Sequence, residues 1–369
     1  MRKLNVMVIF GGVSTEHDIS IITAMQTMAA MDEYLYNIIP VYVSKSGVMY
    51  TSKKYKNIEY ISNRTCGKAV NFVLGKQKIS IGTRLIKHKH IDVALVCMHG
   101  KNGEDGTMCS ALKLANIPYT SADIIGSAIG MDKVIFKDIL KSLNINYVPY
   151  VYVTDKEYNK NKTSNMRMII SSVGLPAIIK PATQGSSIGI EVCKTKNKLQ
   201  NCIKNALKYD KKVLIEKYLP SFRELNVAIY YDGKLHVSNI EEPIKVDKIL
   251  SFDNKYLASS KGMQDALRVK PNLPKDIKNY ITDSAIRLYN HLGLKGVVRF
   301  DYILSDKVYL NEINTIPGSM ANYLFDTSFT SMIDGLIGYA IRDHKENQTL
   351  INYFESSVLD RVNMSRIKK

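Results

Sequence analysis

Two carboxylates and an amide lie close together in the stretch 299–318, RFDYILSDKVYLNEINTIPG. Apolar and β-branched residues on either side of a polar turn predict two strands that form a hairpin. Asp301 and Glu312 then lie on neighbouring strands, and Asn314 shares the face of Glu312 because side chains alternate along a strand. Such a set of oxygen ligands suits Mg²⁺ that also binds substrate phosphates. The stretch therefore predicts a site for metal and phosphate.

A cation accompanies these oxygen ligands. Arg299 precedes Asp301 by two residues and joins the same face of the hairpin, where it can neutralise charge that develops during phosphoryl transfer. The alternative interpretation is a hairpin whose acidic residues are merely solvated. We favour the site because these residues lie inside apolar strands, and buried carboxylates are rare unless they are paired or bind a metal.

A phosphate-binding motif is predicted in the segment 177–190. A strand ends at Lys180 and is followed by the Gly/Ser-rich loop ATQGSSIGI. Backbone N–H groups and hydroxyls of such a loop, including those of Ser186 and Ser187, bind phosphate oxygens while the lysine neutralises charge. The GxxxxGK[ST] pattern of a Walker loop is absent. For this segment alone, a simple β-hairpin turn is the alternative.

Glycines follow buried strands at two places near the N-terminus. The pair Gly11-Gly12 separates the apolar strand 4–10 from a predicted helix, and the glycine-rich loop 98–106 follows the apolar strand 91–97. Open α/β sheets bind ligands at such strand ends, where backbone N–H groups can approach an anion. Glu16 can hold a ligand's amino group there, or can simply complement the helix dipole. Alternating strands and helices predict a parallel, Rossmann-like sheet in this region.

The length of 369 residues suggests two or three domains. Two segments between the predicted elements look irregular. The polar segment 155–167 is predicted to be a mobile surface segment, and the segment 249–269 is predicted to be a long loop that can cover a site.

Composition excludes several classes of protein. The formal charge of +17 could indicate a polyanionic partner, but the lysines are spread along the chain and no recognition motif accompanies them, so nucleic-acid binding is not expected. The five cysteines are scattered without a CxxC pair, which fits a reduced compartment. No apolar window is long enough to span a membrane. The apolar N-terminal run ends in glycines and continues as structure, so we interpret it as a strand of a cytoplasmic protein and not as a signal peptide.

Taken together, the motifs resemble those of the D-alanine–D-alanine ligases of the ATP-grasp superfamily. The resemblance extends from Leu4 to about Ile341, with the motifs in family order and at compatible spacing. The motifs are GGVSTEHDIS, HGKNGEDG, GSAIGMDK, IIKPATQGSSIGI, LIEKYLPSFRE, DNKY, VVRFDYI and NEINTIPG.

The resemblance implies an α/β (α+β) fold of three domains, with the nucleotide between two antiparallel sheets. Residues 1–122 would form the N-terminal parallel-sheet domain, which binds the first substrate. Residues 123–211 would form the central domain with the phosphate loop. Residues 212–369 would form the C-terminal domain with the adenine pocket, the metal site and the lid.

The resemblance also implies the substrates, the metal and a role for each site residue. The substrates would be ATP and D-alanine, with two Mg²⁺ (or Mn²⁺) ions; a homodimer is left open, because the sequence does not give the oligomeric state. Metal ligands would be Asp301, Glu312 and Asn314. The ATP contacts would be Lys133, Lys180 and Ser187 at the phosphates, Glu216, Tyr218 and Leu219 at the adenine, Glu224 at the ribose, and Lys255 on the lid. Glu16 would hold the first D-alanine's ammonium and would be linked through Ser186 to Tyr256 on the lid, while Arg299 and the Gly318 N–H would form the oxyanion site.

Such a ligase forms an acyl phosphate from the first amino acid and ATP, and the amine of the second amino acid then attacks it, in synthesis of peptidoglycan precursors. Three departures from the family pattern are present: Cys109 replaces a Gln, the lid begins with Ser251-Phe252-Asp253 instead of YDY, and Tyr323 stands where a Ser usually binds the second substrate's carboxylate. They leave open a related ligase that uses a different second substrate, such as D-serine. A nucleotide-binding protein that has lost catalysis is disfavoured, because the residues of the metal and phosphate sites are intact.

Overall fold

Three sheets of four or more strands form the framework of the chain, and a two-stranded pair accompanies them. The structure is a computed structural model that describes residues 2–62, 67–243, 268–351 and 353–356. Lys255 and Tyr256, which the family resemblance assigns to the lid, lie outside these residues, as does most of the predicted loop 249–269.

The first sheet has seven strands and is built from the N-terminal third of the chain. Its elements, in chain order, are β1 (Leu4–Gly11), α1 (His17–Ala30), β2 (Tyr36–Val43), β3 (Met49–Thr51), a 3₁₀ helix (Lys53–Lys56), α2 (Ile58–Ser62), β4 (Lys68–Val73), β5 (Lys78–Ile81), β6 (Lys87–His90), β7 (Val93–Val96) and α3 (Thr107–Leu114).

The strand order of this sheet is β6-β5-β4-β3-β2-β1-β7. The predicted parallel core is confirmed, since β1 pairs in parallel with both β2 and β7. Beyond β2 the sheet continues through four antiparallel strands, which the prediction of a parallel domain did not include. Alternate residues of β1 are buried on opposite faces: Val8 packs with α1, whereas Ile9 packs with Leu112 of α3. The carboxyl ends of the parallel strands therefore meet at one edge, where α1 begins.

The second sheet has four antiparallel strands in the order β10-β9-β11-β8. Its elements and the helices around it are α4 (Ile124–Met131), α5 (Lys133–Ser142), β8 (Tyr150–Thr154), α6 (Asp155–Lys160), α7 (Lys162–Val173), β9 (Ala177–Pro181), β10 (Glu191–Cys193), α8 (Lys196–Ala206) and β11 (Lys212–Lys217).

The two faces of the second sheet are covered differently. One face packs on α7 and α8 in a core that includes Ile169 and Ile203, and the other receives α5 through Val134. Strand β11 pairs with both β8 and β9, so this sheet extends past the predicted domain boundary at 211/212.

The segment 155–167, predicted to be a mobile surface segment, is helical, because α6 and the start of α7 occupy it. Thr154 and Glu157 form a capping box at the start of α6, and the Asn161 side chain accepts a hydrogen bond from the Ser164 N–H at the start of α7. These caps satisfy N–H groups at the helix starts. Buried Ile169 and Val173 attach α7 to the sheet.

The third sheet is also antiparallel, with the order β13-β12-β16-β17. The elements of this region are β12 (Arg223–Tyr231), β13 (Leu235–Val237), β14 (Glu242–Pro243), β15 (Arg268–Val269), α9 (Lys275–His291), β16 (Val298–Leu304), β17 (Val308–Asn314), a 3₁₀ helix (Gly318–Leu324) and α10 (Phe329–Gln348).

Two helices fix the third sheet in the molecule. Helix α9 covers one face, where Leu288 packs with Phe300. Helix α10 packs against the first sheet, and the Tyr36 hydroxyl donates a hydrogen bond of 2.6 Å to Asp334 on α10. The N-terminal and C-terminal parts of the chain therefore share one core. In the part of the chain that the structure describes, no helix is long and apolar enough to cross a membrane.

Candidate active site

The hairpin β16–β17 places the predicted metal ligands opposite one another. In its register Asp301 faces Glu312 and Arg299 faces Asn314. Directly paired residues share one face of an antiparallel sheet, so these four side chains lie together, as predicted. A β-bulge beside Asp301 leaves Asn311 without a paired residue. This extra residue keeps Glu312 on the site face even though the apolar Leu310 pairs with Tyr302 on the opposite face.

Asp301 is held by two protein groups. Its Oδ1 accepts a hydrogen bond of 2.7 Å from Arg299 Nε, and its Oδ2 accepts bonds of 2.8 Å from Arg299 Nη2 and 2.9 Å from Asn314 Nδ2. Burial of the Arg299 guanidinium opposes its charge, but Asp301 outweighs this effect and raises the pKa of Arg299 well above its ordinary value. The predicted oxyanion-binding arginine therefore also orients a predicted metal ligand.

The oxygen atoms on this face of the hairpin suit a hard cation that also binds ligands from outside the protein. Asp301 and Glu312 supply carboxylate oxygens, and a carboxylate that accepts hydrogen bonds still has lone pairs for a cation. Among the described residues no group of three or more His, Cys, Asp or Glu side chains could hold a metal ion. Two carboxylates and one amide would leave coordination positions for phosphate oxygens and water, which is the usual arrangement for Mg²⁺ at nucleotides.

Three buried lysines, Lys133, Lys137 and Lys180, lie between the second and third sheets. Together with Glu216 and Glu312 they form what we call the lysine cluster. Lys133 Nζ donates a hydrogen bond of 2.7 Å to the Gln184 carbonyl in the phosphate loop and lies 3.8 Å from Glu312 Oε2 on β17. Burial lowers the pKa of Lys133, and Glu312 opposes that effect. Lys133 thus connects the loop of the second sheet to the metal hairpin of the third.

Glu216 is the anionic centre of the lysine cluster. Its side chain is almost completely buried, its Oε2 contacts Lys180 Nζ, and its Oε1 lies 2.6 Å from Lys137 Nζ. Burial raises the pKa of this carboxyl, but Lys137 and Lys180 outweigh burial and lower the pKa to about 2. Glu216 was predicted at the adenine; the structure shows its carboxylate in ion pairs with these two lysines.

The phosphate loop also contacts the N-terminal domain. The Ser186 hydroxyl donates a hydrogen bond to Glu16 Oε1, and Ser186 and Ser187 both have left-handed backbone angles, with φ of 52° and 59°. Gly185 lies so close that a Cβ there would be 3.0 Å from Glu16 Oε1. The predicted Glu16–Ser186 pair is therefore formed, whereas its predicted partner Tyr256 lies outside the described residues.

A cavity of about 310 Å³ adjoins this contact and is lined by residues that include Glu16, Gly100 and Gln184. Behind it, the Glu104 carboxyl accepts hydrogen bonds from the Gly100 N–H (2.7 Å) and the Ile316 N–H (3.1 Å). Burial and the neighbouring Glu16 raise the pKa of Glu104 to about 8. Glu104 thereby ties the glycine-rich loop after β7 to the segment after β17.

The segment after β17 carries Gly318 and Tyr323. A Cβ at Gly318 would have nothing within 4 Å, and the neighbouring Ser319 N–H donates a hydrogen bond of 3.0 Å to Thr23 Oγ1 on α1. Tyr323 Oη accepts a hydrogen bond of 3.4 Å from Arg299 Nη1. Tyr323, one of the departures from the family pattern, therefore contacts Arg299, the predicted oxyanion-binding arginine.

The residues predicted at the adenine and ribose lie near the hairpin. Leu219 packs with Val148 and Tyr309. Tyr218 is half-buried next to it, and Glu224 lies on β12 opposite Ile303. These positions are consistent with a base-binding pocket between the sheets, and their roles stay predictions.

The fold and the site define a class of protein. Two antiparallel four-stranded sheets follow an N-terminal domain with a parallel core, and a lysine cluster lies between them with an acidic hairpin on one side and a Gly/Ser loop on the other. This is the ATP-grasp architecture.

Comparison with known proteins narrows the class. The family models for the D-alanine–D-alanine ligase N-terminus and C-terminus match residues 5–122 and 139–334. A D-alanine–D-alanine ligase of Thermosipho melanesiensis is 34% identical over 355 residues, which cover 94% of this chain and 96% of that protein. The chain belongs to the D-alanine–D-alanine ligase family.

Solved structures agree in fold. The D-alanine–D-alanine ligase of Coxiella burnetii superposes with a TM-score of 0.80 at 23% identity and covers 100% of both chains. The VanG D-Ala:D-Ser ligase of Enterococcus faecalis superposes with a TM-score of 0.78 at 25% identity, covering 92% of this chain and 100% of that one.

Sequence reasoning missed two residues that the structure brings to the site. Lys137 follows Lys133 by one helical turn, and this i, i+4 spacing on α5 was a signal that both lysines share a face. Glu104 lies in the glycine-rich loop 98–106, where its charge gave no sign that it would bond to the Ile316 N–H far along the chain.

Proposed function

We propose that this protein is an ATP-dependent ligase that joins two molecules of D-alanine into D-alanyl-D-alanine for the synthesis of peptidoglycan precursors. One observation carries the proposal: the Ser186 hydroxyl of the phosphate loop donates to Glu16 at the wall of a cavity of about 310 Å³. An amino acid whose ammonium is held by Glu16 would thereby be kept beside the loop that is suited to ATP phosphates.

ATP would bind between the second and third sheets. Lys133 and Lys180 supply positive charge for its phosphates, with hydroxyl and N–H donors from the loop that contains Ser187. Leu219 and Tyr218 would face the adenine, Glu224 the ribose, and Lys255 the phosphates from the lid. Asp301, Glu312 and Asn314 would hold Mg²⁺ or Mn²⁺, which would offset phosphate charge when bound.

The reaction follows from this placement of charge. The carboxylate of the first D-alanine attacks the γ-phosphorus of ATP, the bond to the bridging oxygen breaks, and ADP leaves with that electron pair. Lys133 and Lys180 reduce the repulsion between the two anions. The amine of the second D-alanine then attacks the acyl carbon and phosphate leaves, while Arg299 and the Gly318 N–H stabilise the oxyanion.

The location and assembly of the protein are further proposals. We place the enzyme in the cytoplasm, where ATP is available, and expect a homodimer. Size-exclusion chromatography with light scattering tests the assembly, because the dimer has twice the chain mass of 41.6 kDa.

A panel of acceptor amino acids tests the proposed substrate. The enzyme is given ATP and Mg²⁺ with D-alanine alone, or with limiting D-alanine and an excess of D-serine or L-alanine, and each product is identified by mass spectrometry. We expect D-alanyl-D-alanine to form fastest. A higher kcat/KM for D-serine as acceptor would refute the proposed second substrate and keep the ligase chemistry.

A further inference from the structure

Lys137 is the most deeply buried cation in the lysine cluster. Its side chain is fully buried on α5, one turn after Lys133, and its ammonium lies 2.6 Å from Glu216 Oε1 and 5.8 Å from the centre of the Tyr150 ring. A buried ammonium is costly unless it is paired, and here it is paired with Glu216.

The Glu216 carboxylate therefore pairs with two lysines of the cluster. Glu216 contacts Lys180 with Oε2 and Lys137 with Oε1. Lys180 lies near the end of strand β9, just before the phosphate loop, so the same ammonium would have two anions available to it: Glu216 and the phosphate of a nucleotide. If Lys180 turned toward a phosphate, the Lys137 ammonium would still be in contact with the buried Glu216 and would compensate its charge.

We propose that Lys137 is a positioning residue for nucleotide binding: it neutralises Glu216, so that the charge of Lys180 is available to the phosphates of ATP. The proposal rests on the proposed function in one respect, which is that an adenine nucleotide is the ligand. Lys137 itself would not touch the nucleotide.

The net charge of the lysine cluster predicts in which direction the loss of Lys137 changes the affinity for a nucleotide. Lys133, Lys137 and Lys180 carry three positive charges in the cluster, and Glu216 and Glu312 carry two negative charges, which leaves one net positive charge toward a nucleotide. Lys137→Met reduces this net charge to zero and leaves Lys180 as the partner of Glu216. Binding of a phosphate-bearing ligand should weaken, because an anion would enter a neutral site and would have to draw Lys180 from its carboxylate.

A purely structural ion pair would behave differently. If Lys137 only helped α5 to pack on the second sheet, its loss would disturb the base pocket and the phosphate pocket together. Adenosine and ADP share the base and ribose and differ in the phosphates, so their affinities separate the two cases.

The test measures the dissociation constants of Mg·ADP and of adenosine by isothermal titration calorimetry on the full chain. For K137M we expect the Kd of ADP to rise about tenfold or more and that of adenosine to change by less than about twofold. K137R keeps the charge and should bind ADP within about threefold of the parent protein. K141M removes an exposed lysine one turn further along α5 and should change neither constant.

A second variant covers the case in which K137M does not fold. The double variant K137M/E216Q removes both buried charges and restores the net charge of the cluster. Its ratio of adenosine Kd to ADP Kd should return to within about threefold of the parent ratio.

Several results would overturn the proposal. They are an equal loss of affinity for adenosine and ADP in K137M, an ADP affinity of K137R that is about tenfold or more below that of the parent protein, and a double variant whose ratio of adenosine Kd to ADP Kd stays about tenfold or more below the parent ratio. Failure of the parent protein to bind ADP would also overturn it. If ADP binds as expected but no dipeptide forms, the proposed ligation fails while the role of Lys137 stands.

Discussion

The charge of Glu216 should contribute measurably to folding stability. Lowering the pKa of this carboxyl from 4.5 to about 2 corresponds to about 3 kcal/mol of stability at neutral pH. Because the folded-state pKa lies below the unfolded-state value, this contribution is complete above pH 4.5 and is lost as the pH falls toward 2. Glu216→Gln leaves Lys137 and Lys180 buried without their carboxylate, a change of the kind that destabilises proteins by about 3 to 5 kcal/mol.

Urea unfolding followed by far-ultraviolet circular dichroism measures this effect. We expect E216Q to be less stable than the parent protein by about 3 kcal/mol at pH 7, and the gap should narrow to about 2 kcal/mol at pH 3.5. E346Q, at an exposed position of α10, is the matched control and should unfold like the parent protein at both pH values. A gap below about 1 kcal/mol at pH 7, or a gap that does not narrow on acidification, would refute the charge network described for Glu216.

Three further predictions concern catalysis. Glu312→Gln should lower the rate of phosphate release by about a hundredfold or more without unfolding the protein, because a metal ligand loses its charge; near-parental turnover would contradict the assigned role. Ser186→Ala should raise the KM of the first D-alanine by about tenfold and leave the KM of ATP nearly unchanged, because Glu16 loses a hydrogen bond; a matching rise in the KM of ATP would show that the loop has collapsed. Tyr323→Phe should change only the KM of the second D-alanine, by about threefold, because the hydroxyl contacts Arg299; equal effects on both amino-acid sites would contradict a role at the acceptor.

The metal hairpin is the part of the site that sequence predicted best. Its two strands have a period of two residues, which places Glu312 with Asn314 and Arg299 with Asp301, whereas Asp301 and Glu312 share a face through the bulge at Asn311. The bulge at Asn311 was not predicted, because it depends on how β17 pairs with β16 and leaves no mark in the alternation of residues.

Long-range pairing explains the other differences. Membership of β11 in the second sheet depends on hydrogen bonds to β8 and β9, which a local pattern does not specify. The segment 155–167 was predicted to be a mobile surface segment because it is polar, but caps at Thr154 and Asn161 start two helices there. The cluster around Glu216 gathers residues from α5, β9 and β11, and only the fold brings them within contact distance.

The measurement that tests the central claim most directly is the stoichiometry of the reaction with D-alanine as the only amino acid. ADP and phosphate are quantified by coupled assays, and the dipeptide is quantified by mass spectrometry. The account predicts one ADP and one phosphate for each D-alanyl-D-alanine formed, and no phosphate release without D-alanine. Phosphate release that is independent of D-alanine, or that yields no dipeptide, would contradict it.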